Sequence, residues 1–376
     1  MKVLIIGQWI YPLITPRANR TWELAKGFAK FGADVTVYAL LGDRDYTNEE
    51  KKYNIKVRNL GDSQRGLVDS QGKSRRTFFN RAMGRIVGEY NAYPGYELYS
   101  MIKKCFKSET GVDLLITIAH PHVIHWAASK YIDILKPNCW IADCGDPFMG
   151  NAFYTPHKRF SKYEKLWCDK VNYITIPIDD AKCGYYPEYL GKLQIIPQGF
   201  DNSEIELVDY RSCIVPTFAF AGQVYDGIRD PRRFLEYLVE QDVNCKFIAY
   251  SESQVFSEFA SRLGNRLEIR IKVHRNELIS HLSGCDFLIN ISNGTSIQTP
   301  SKLIDYAVSG RPILTISSLF DEKDQQNFNA FLKADYAAET KVSQVEKYSI
   351  VRVVNQFIDL YHQHIYSSQY KNSVLL

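Results

Sequence analysis

Apolar positions in this chain fall into short unbroken runs, and between those runs lie segments whose apolar residues recur at helical spacing. Val3 to Ile6 is one such run, ended by Gly7, and it reads as a buried strand. A loop is expected through Tyr11, Pro12, Pro16 and Arg17. From Trp22 to Phe31 the apolar residues Trp22, Leu24, Ala25, Phe28 and Ala29 line one helical face, with Gly32 placed to cap it. Val35 to Leu40 predicts the second strand. Strands that are apolar throughout are buried on both faces, so the pattern predicts a parallel α/β sheet.

The rhythm continues. Strands are predicted at Leu114 to Ile118, Trp140 to Ala142, Tyr173 to Ile176 and Gln194 to Ile196, with a helix over Ile124 to Ile134. Gly199 to Pro216 is polar and loop-rich. The pattern then restarts, with strands at Thr217 to Phe220, Lys246 to Tyr250, Leu267 to Ile271, Phe287 to Ile291 and Ile313 to Ile316 and a helix over Phe234 to Glu240. The expected fold class is α/β, two Rossmann-like domains facing across a cleft. The expected bounds are 1–199, 200–350 and a C-terminal helix over 351–376 that packs back on the first domain. In such folds ligands bind at the carboxyl ends of the strands.

Composition narrows the class. The chain has 376 residues, too many for one ordinary core, and its 45% apolar and 23% charged content is that of a folded globular protein. Its eight cysteines show no C-x-x-C pair, so neither a zinc motif nor a disulfide framework is expected, and free thiols fit a cytoplasmic protein. The first run is too short for a signal peptide, and no window approaches the roughly 18–20 apolar residues of a membrane span. Charge is uneven: residues 1–190 hold 27 Lys/Arg against 20 Asp/Glu, and residues 191–376 hold 19 against 22. Within Lys73 to Lys107, basic residues alternate with Phe78, Phe79, Met83, Tyr93, Tyr96 and Tyr99. Basic and aromatic residues together suit a peripheral dock on an anionic membrane surface, the inner face of a membrane for a cytoplasmic protein. No nucleic-acid recognition motif is present, and no nucleic-acid partner is expected.

The segment from Thr299 to Pro312 carries the sharpest chemistry. Pro300 starts a helix, Ser301 or Thr299 can cap it, Ile304, Ala307 and Val308 give it a buried face, and Gly310 ends it. A helix N-terminus offers unpaired backbone N–H groups and partial positive charge, and Lys302 adds a full one. A diphosphate is the natural guest, and Asp305, one turn on, can accept ribose hydroxyl protons. In the first half, His120 follows a strand, as do Asp143 and Asp146, which can orient acceptor hydroxyls. His125 reads as structural. His120 and His122 as a metal pair lack a nearby carboxylate, so no metal site is expected. After the first strand there is no G-x-G-x-x-G, which weighs against a nicotinamide dehydrogenase.

The segment Ser301-Lys302-Leu303-Ile304-Asp305-Tyr306-Ala307-Val308-Ser309-Gly310-Arg311-Pro312 resembles the S-K-L-x-E-Y-x-A-x-G-x-P signature of family-4 glycosyltransferases of GT-B architecture. Other segments fit in order: Gly32-Ala33-Asp34-Val35-Thr36-Val37, Ala142 to Pro147, Ile195 to Asp201, and Phe218 to Gly222 followed by Arg229-Asp230-Pro231. The resemblance implies retaining transfer from a nucleoside-diphosphate sugar, a UDP-sugar before a GDP-sugar, to a saccharide or lipid-linked acceptor in polysaccharide or glycan biosynthesis. It implies no cofactor and no obligatory metal. His120, Arg229 and Lys302 would be catalytic. Gly222, Arg229, Gln298, Thr299, Ser301, Lys302, Leu303 and Asp305 would bind donor. Arg17, Arg20, Asp143 and Asp146 would bind acceptor. The chain departs from the pattern at Asp305, where the family has Glu, at Ile297, where its upstream Glu is missing, and at Pro16-Arg17-Ala18-Asn19, which replaces a Gly-Gly loop. The missing Glu keeps two alternatives in view: a nucleotide-sugar-binding protein without turnover, and a sugar-nucleotide epimerase of the same fold.

Overall fold

The computed structural model describes residues 1–64, 67–74, 95–151, 155–224, 227, 229–292 and 301–373. They form two compact units, residues 1–201 with 347–376, and residues 202–346.

The first unit is built on seven strands, β1 Lys2–Ile6, β2 Asp34–Ala39, β3 Ile55–Asn59, β4 Leu114–Ile118, β5 Cys139–Asp143, β6 Tyr173–Ile176 and β7 Leu193–Ile195. Their order is β3-β2-β1-β4-β5-β6-β7, and each neighbouring pair is parallel. Val3 pairs with Val35 on one side and Leu114 on the other. Alternate residues of β1 feed two cores, as the period of two requires. Leu4 and Ile6 join Trp126, Trp140 and Trp167 on one face, and Val3 and Ile5 join Phe28, Val353 and Phe357 on the other. The sheet is therefore covered on both faces, which explains its unbroken apolar strands.

The start of the first helix and strand β3 differ from expectation. The first long helix runs Pro16–Lys30, starting six residues before the apolar pattern becomes helical. The Thr15 hydroxyl accepts from the Ala18 amide, and Pro16 occupies the first turn, where its missing N–H costs nothing. Arg17, expected in a loop, thus lies on a helix together with Arg20. Strand β3 was not expected, because only Ile55 and Val57 of its five residues are buried.

The chain returns to this unit at its end. Helix Ile350–Ser373 packs on helix Pro16–Lys30, with the rings of Phe28 and Phe357 6.2 Å apart. Gly27 permits that approach, since a Cβ there would stand 2.7 Å from side-chain atoms of both Ile350 and Val354. This helix begins one residue before the expected 351.

The second unit holds β8 Thr217–Ala221, β9 Lys246–Tyr250, β10 Leu267–Arg270, β11 Phe287–Ile291 and β12 Ile313–Ile316 in the order β10-β9-β8-β11-β12, again parallel. Phe218 stacks between Phe247 and Phe287 on adjacent strands, with centroids 5.0 and 4.9 Å away. In both units strand order reverses beside the first strand of the sheet, between β1 and β4 and between β8 and β11. Open α/β sheets place their ligands at such switch points.

Candidate functional site

In the second unit the switch point gathers the carboxyl end of β8, ending at Gly222, and the helix Ser301–Val308 that follows β11. Tyr306 joins them: its buried hydroxyl accepts from the Ala221 amide at 2.7 Å. Arg229 lies near enough to act electrostatically on that hydroxyl, whose pKa burial pushes up. Leu303 packs on the core beneath, and Gly310, at φ 71°, stops the helix. Lys302 stands in the first turn with its side chain 38% exposed, so its charge reaches solvent. Ser301 is the first helical residue. Gln298 and Thr299, with Pro300, lie outside the described residues.

Asp305 is placed differently from expectation. It is buried, its Oδ1 accepts from Arg275 Nε at 2.6 Å, and its Oδ2 lies 3.6 Å from Lys302 Nζ. A carboxylate held this way is committed to two cations and is not available to a ribose without rearrangement. Arg275 opens the helix Arg275–Ser283 and also donates to Asn202 Oδ1 at 3.1 Å. Sequence reading missed it. It follows β10, so it comes from a third strand end converging on the same point, and only the fold reveals that.

In the first unit the switch point lies between β1 and β4. Arg20, expected to meet a phosphate, is buried at 2% exposure. Its Nε and NH2 both donate to Asp143, at 3.1 and 2.7 Å, and its NH1 donates to the Pro197 carbonyl at 2.7 Å. Asp143, the last residue of β5, also accepts from Thr175 at 2.7 Å and from Arg17 at 3.4 Å. Burial alone would raise its carboxyl; the Arg20 charge and hydrogen bonds, then Arg17 and Thr175, outweigh it and hold the pKa below the ordinary value. Arg20 and Asp143, both expected at the acceptor site, thus form an internal ion pair that ties helix Pro16–Lys30 to β5.

Arg17, His120 and Asp146 remain as the outward members. Burial lowers the Arg17 pKa against the pull of Asp143. His120 is exposed by area, yet its surroundings still lower its pKa, with Asp146 opposing and Arg17 reinforcing the shift. That shift, caused first by desolvation, favours the neutral imidazole, which can accept a hydrogen bond. Behind it, His122 Nε2 lies 3.1 Å from the Asp146 carbonyl, and His125 lies between Thr117 and Cys144. Deeper still, the fully buried Glu164 carboxyl is raised to about 7 by burial, against amide hydrogen bonds from Met149 and Phe148.

Of the basic segment, residues 75–94 lie outside the described residues. Lys103, Lys104 and Lys107 are exposed on the helix Glu97–Ser108, and Lys130 lies over the Tyr99 ring. Among the described residues no helix is long and apolar enough to cross a membrane.

No family model matches this chain, and no curated protein matches it. Solved structures do. HepE from Anabaena, determined with UDP and glucose, is 10% identical with a TM-score of 0.61, covering 96% of this chain and all of its own. A glycosyltransferase from Rickettsia africae is 12% identical with a TM-score of 0.60, covering 97% and 98%. TarM is 10% identical with a TM-score of 0.61, covering 96% and 98%. These are GT-B glycosyltransferases, and the likeness shows that this chain has their fold, two Rossmann-like domains.

Proposed function

We propose that the chain is a retaining glycosyltransferase moving a sugar from a nucleoside-diphosphate sugar to a saccharide or lipid-linked acceptor, in polysaccharide or glycan assembly. One observation carries the reading: Lys302 is solvent-accessible in the first turn of a helix that Tyr306 ties to the end of β8 at the switch point, with Arg229 within electrostatic range of Tyr306. A helix N-terminus with a lysine is suited to a diphosphate. When the glycosidic C–O bond breaks, negative charge grows on the departing diphosphate. Lys302, Arg229 and the helix amides would neutralise it without a metal. UDP and UDP-glucose, found in the HepE structures, are the first nucleotides to try, ahead of GDP-sugars.

The acceptor would meet the first unit through Arg17, His120 and Asp146, with His120 contacting the reacting sugar. No dedicated protein base is required if the departing phosphate takes the acceptor proton. A cytoplasmic protein docked on an anionic membrane through Lys103, Lys104, Lys107 and their neighbours would have a lipid-linked acceptor within reach. One departure favours a second reading, binding without turnover: Ile297 stands where the family that the chain resembles has its upstream Glu.

The test is a thermal-shift screen of UDP, GDP and their sugars, followed by assay of nucleotide release. A shift with UDP and released UDP on adding acceptor support transfer. A shift without any release supports the second reading, and no shift with any nucleotide diphosphate overturns both.

A further inference from the structure

Behind His120, at the carboxyl ends of β4 and β5, three side chains converge that the transfer reading does not use. His122 and His125 flank the start of the helix Val123–Leu135, and Cys144 follows β5 directly. All three are buried, and their donor atoms lie within 4.8 Å of one another. From these positions we propose a zinc site formed by His122 Nδ1, His125 Nε2 and the Cys144 thiolate.

Three observations carry it independently of the donor site. The first is spacing. Tetrahedral zinc with a sulfur near 2.3 Å and a nitrogen near 2.0–2.1 Å sets those two atoms about 3.5 Å apart. Cys144 Sγ and His125 Nε2 are 3.4 Å apart. The second is an orphan: His122 Nδ1 is buried with no hydrogen-bond partner, a lone pair held from water with nothing to receive. The third is the shell around the imidazoles. His122 turns Nε2 to the Asp146 carbonyl at 3.1 Å, and His125 turns Nδ1 to Thr117 Oγ1 at 2.8 Å. The Asp146 carbonyl can only accept, so it fixes His122 Nε2 as the donor and leaves Nδ1 as the ligand; the Thr117 hydroxyl is able to accept from His125 Nδ1 when Nε2 is a ligand. Trp140 Nε1 also donates to Thr117 Oγ1 at 2.8 Å, so the hydroxyl is held on the far side of His125.

Two nitrogens and one sulfur are the donor set of zinc and not of magnesium or calcium. The Tyr185 hydroxyl is buried beside Cys144. Binding would displace the thiol proton, leaving a thiolate on the ion. The ion would take no part in donor chemistry; it would pin the Cys144 to Asp146 turn to the helix start two residues beyond His120, and so hold the edge that carries His120 and Asp146. The motif was invisible as a zinc signature because its ligands lack C-x-x-C or paired C/H spacing and meet only when β4 and β5 are neighbours.

The full chain, purified without a metal-binding tag, should carry close to one zinc by mass-spectrometric metal analysis. After stripping with a chelator it should take up one Zn2+ added alone, with a rise in Tm. Co2+ in place of zinc should give a thiolate-to-cobalt charge-transfer band. Cys144→Ser should abolish that band and weaken zinc binding by more than about 100-fold, and Thr117→Val should weaken it by about 10-fold through His125. The proposal is overturned if the stripped wild type takes up no stoichiometric zinc, or if Cys144→Ser binds it as tightly. Should the Cys144 variant fail to fold, the wild-type cobalt spectrum decides alone: without a thiolate band, Cys144 and His125 share only a hydrogen bond. Nucleotide binding in the second unit is read separately, so failure here leaves the transfer reading standing.

Discussion

Each unit keeps an arginine–aspartate pair beside its switch point, and the two pairs differ in what they leave open. Arg20 and Asp143 have side chains 2% and 3% exposed, and every Arg20 nitrogen has its partner inside the unit. Such a pair is closed: no anion can reach Arg20 without breaking it. Arg275 and Asp305 are nearly as buried, but a second cation, Lys302, stands over the outer carboxylate oxygen and reaches solvent. The same chemistry therefore serves as an internal joint in one unit and as the mount of an exposed charge in the other. Buried ion pairs add little net stability because desolvation offsets their attraction, but breaking one strands a charge.

The largest effect expected from this contrast is at the joint. Asp143→Ala should destabilise the chain by about 3–5 kcal/mol in denaturant unfolding, since it leaves Arg20 buried and unpaired. Asp305→Ala should cost less, because Arg275 is 11% exposed and keeps its bond to Asn202, and Lys302 can turn to water. Equal losses would erase the distinction between joint and mount.

A pH effect of about 3 kcal/mol is expected from Glu164, which belongs to neither pair. Its folded pKa of about 7 lies above the unfolded 4.5. The stability it contributes is then complete below pH 4.5 and is lost as pH rises through 7, because the unfolded chain releases the proton first. Glu164→Gln keeps the shape without the proton, so its unfolding free energy should exceed that of the wild type at pH 8 and converge with it near pH 4. A difference independent of pH would show that Glu164 does not titrate as its burial demands.

Much of this architecture was legible from apolar runs. Leu114 to Ile118, Tyr173 to Ile176, Lys246 to Tyr250, Phe287 to Ile291 and Ile313 to Ile316 are strands with the expected ends, because continuous apolar runs mark strands buried on both faces. The edge strand β3 was not legible, since one-sided burial leaves Lys56, Arg58 and Asn59 polar. At the candidate sites residue type was visible and pairing was not. Arg20 and Asp143 are 123 positions apart, and Arg275 and Asp305 are 30 apart. Whether a charge meets a ligand or another charge depends on which strands are neighbours, and no local pattern encodes that.

Lys302 tests the mount directly. Lys302→Ala should weaken UDP binding by about 1–3 kcal/mol, the range for a lost charge-assisted bond. It should change unfolding stability by no more than about 0.5 kcal/mol, as for an exposed side chain. The reverse pattern, unchanged affinity with lost stability, would make Lys302 a partner of Asp305 and nothing more.

The smallest expected effect lies at the anchor. Tyr306→Phe removes the hydroxyl that accepts from the Ala221 amide, leaving a buried N–H without its partner at the end of β8. Stability should fall by about 1–2 kcal/mol. UDP affinity should fall by less than in Lys302→Ala, because the helix keeps Ile304 in the core and Leu303 against it while its N-terminus loses only one tie to β8. If calorimetry instead finds that Tyr306→Phe weakens UDP as much as Lys302→Ala, then position and not charge limits the site. Affinity would then be set by how rigidly the helix is held at the end of β8, and Lys302 would matter only as far as that anchor places it.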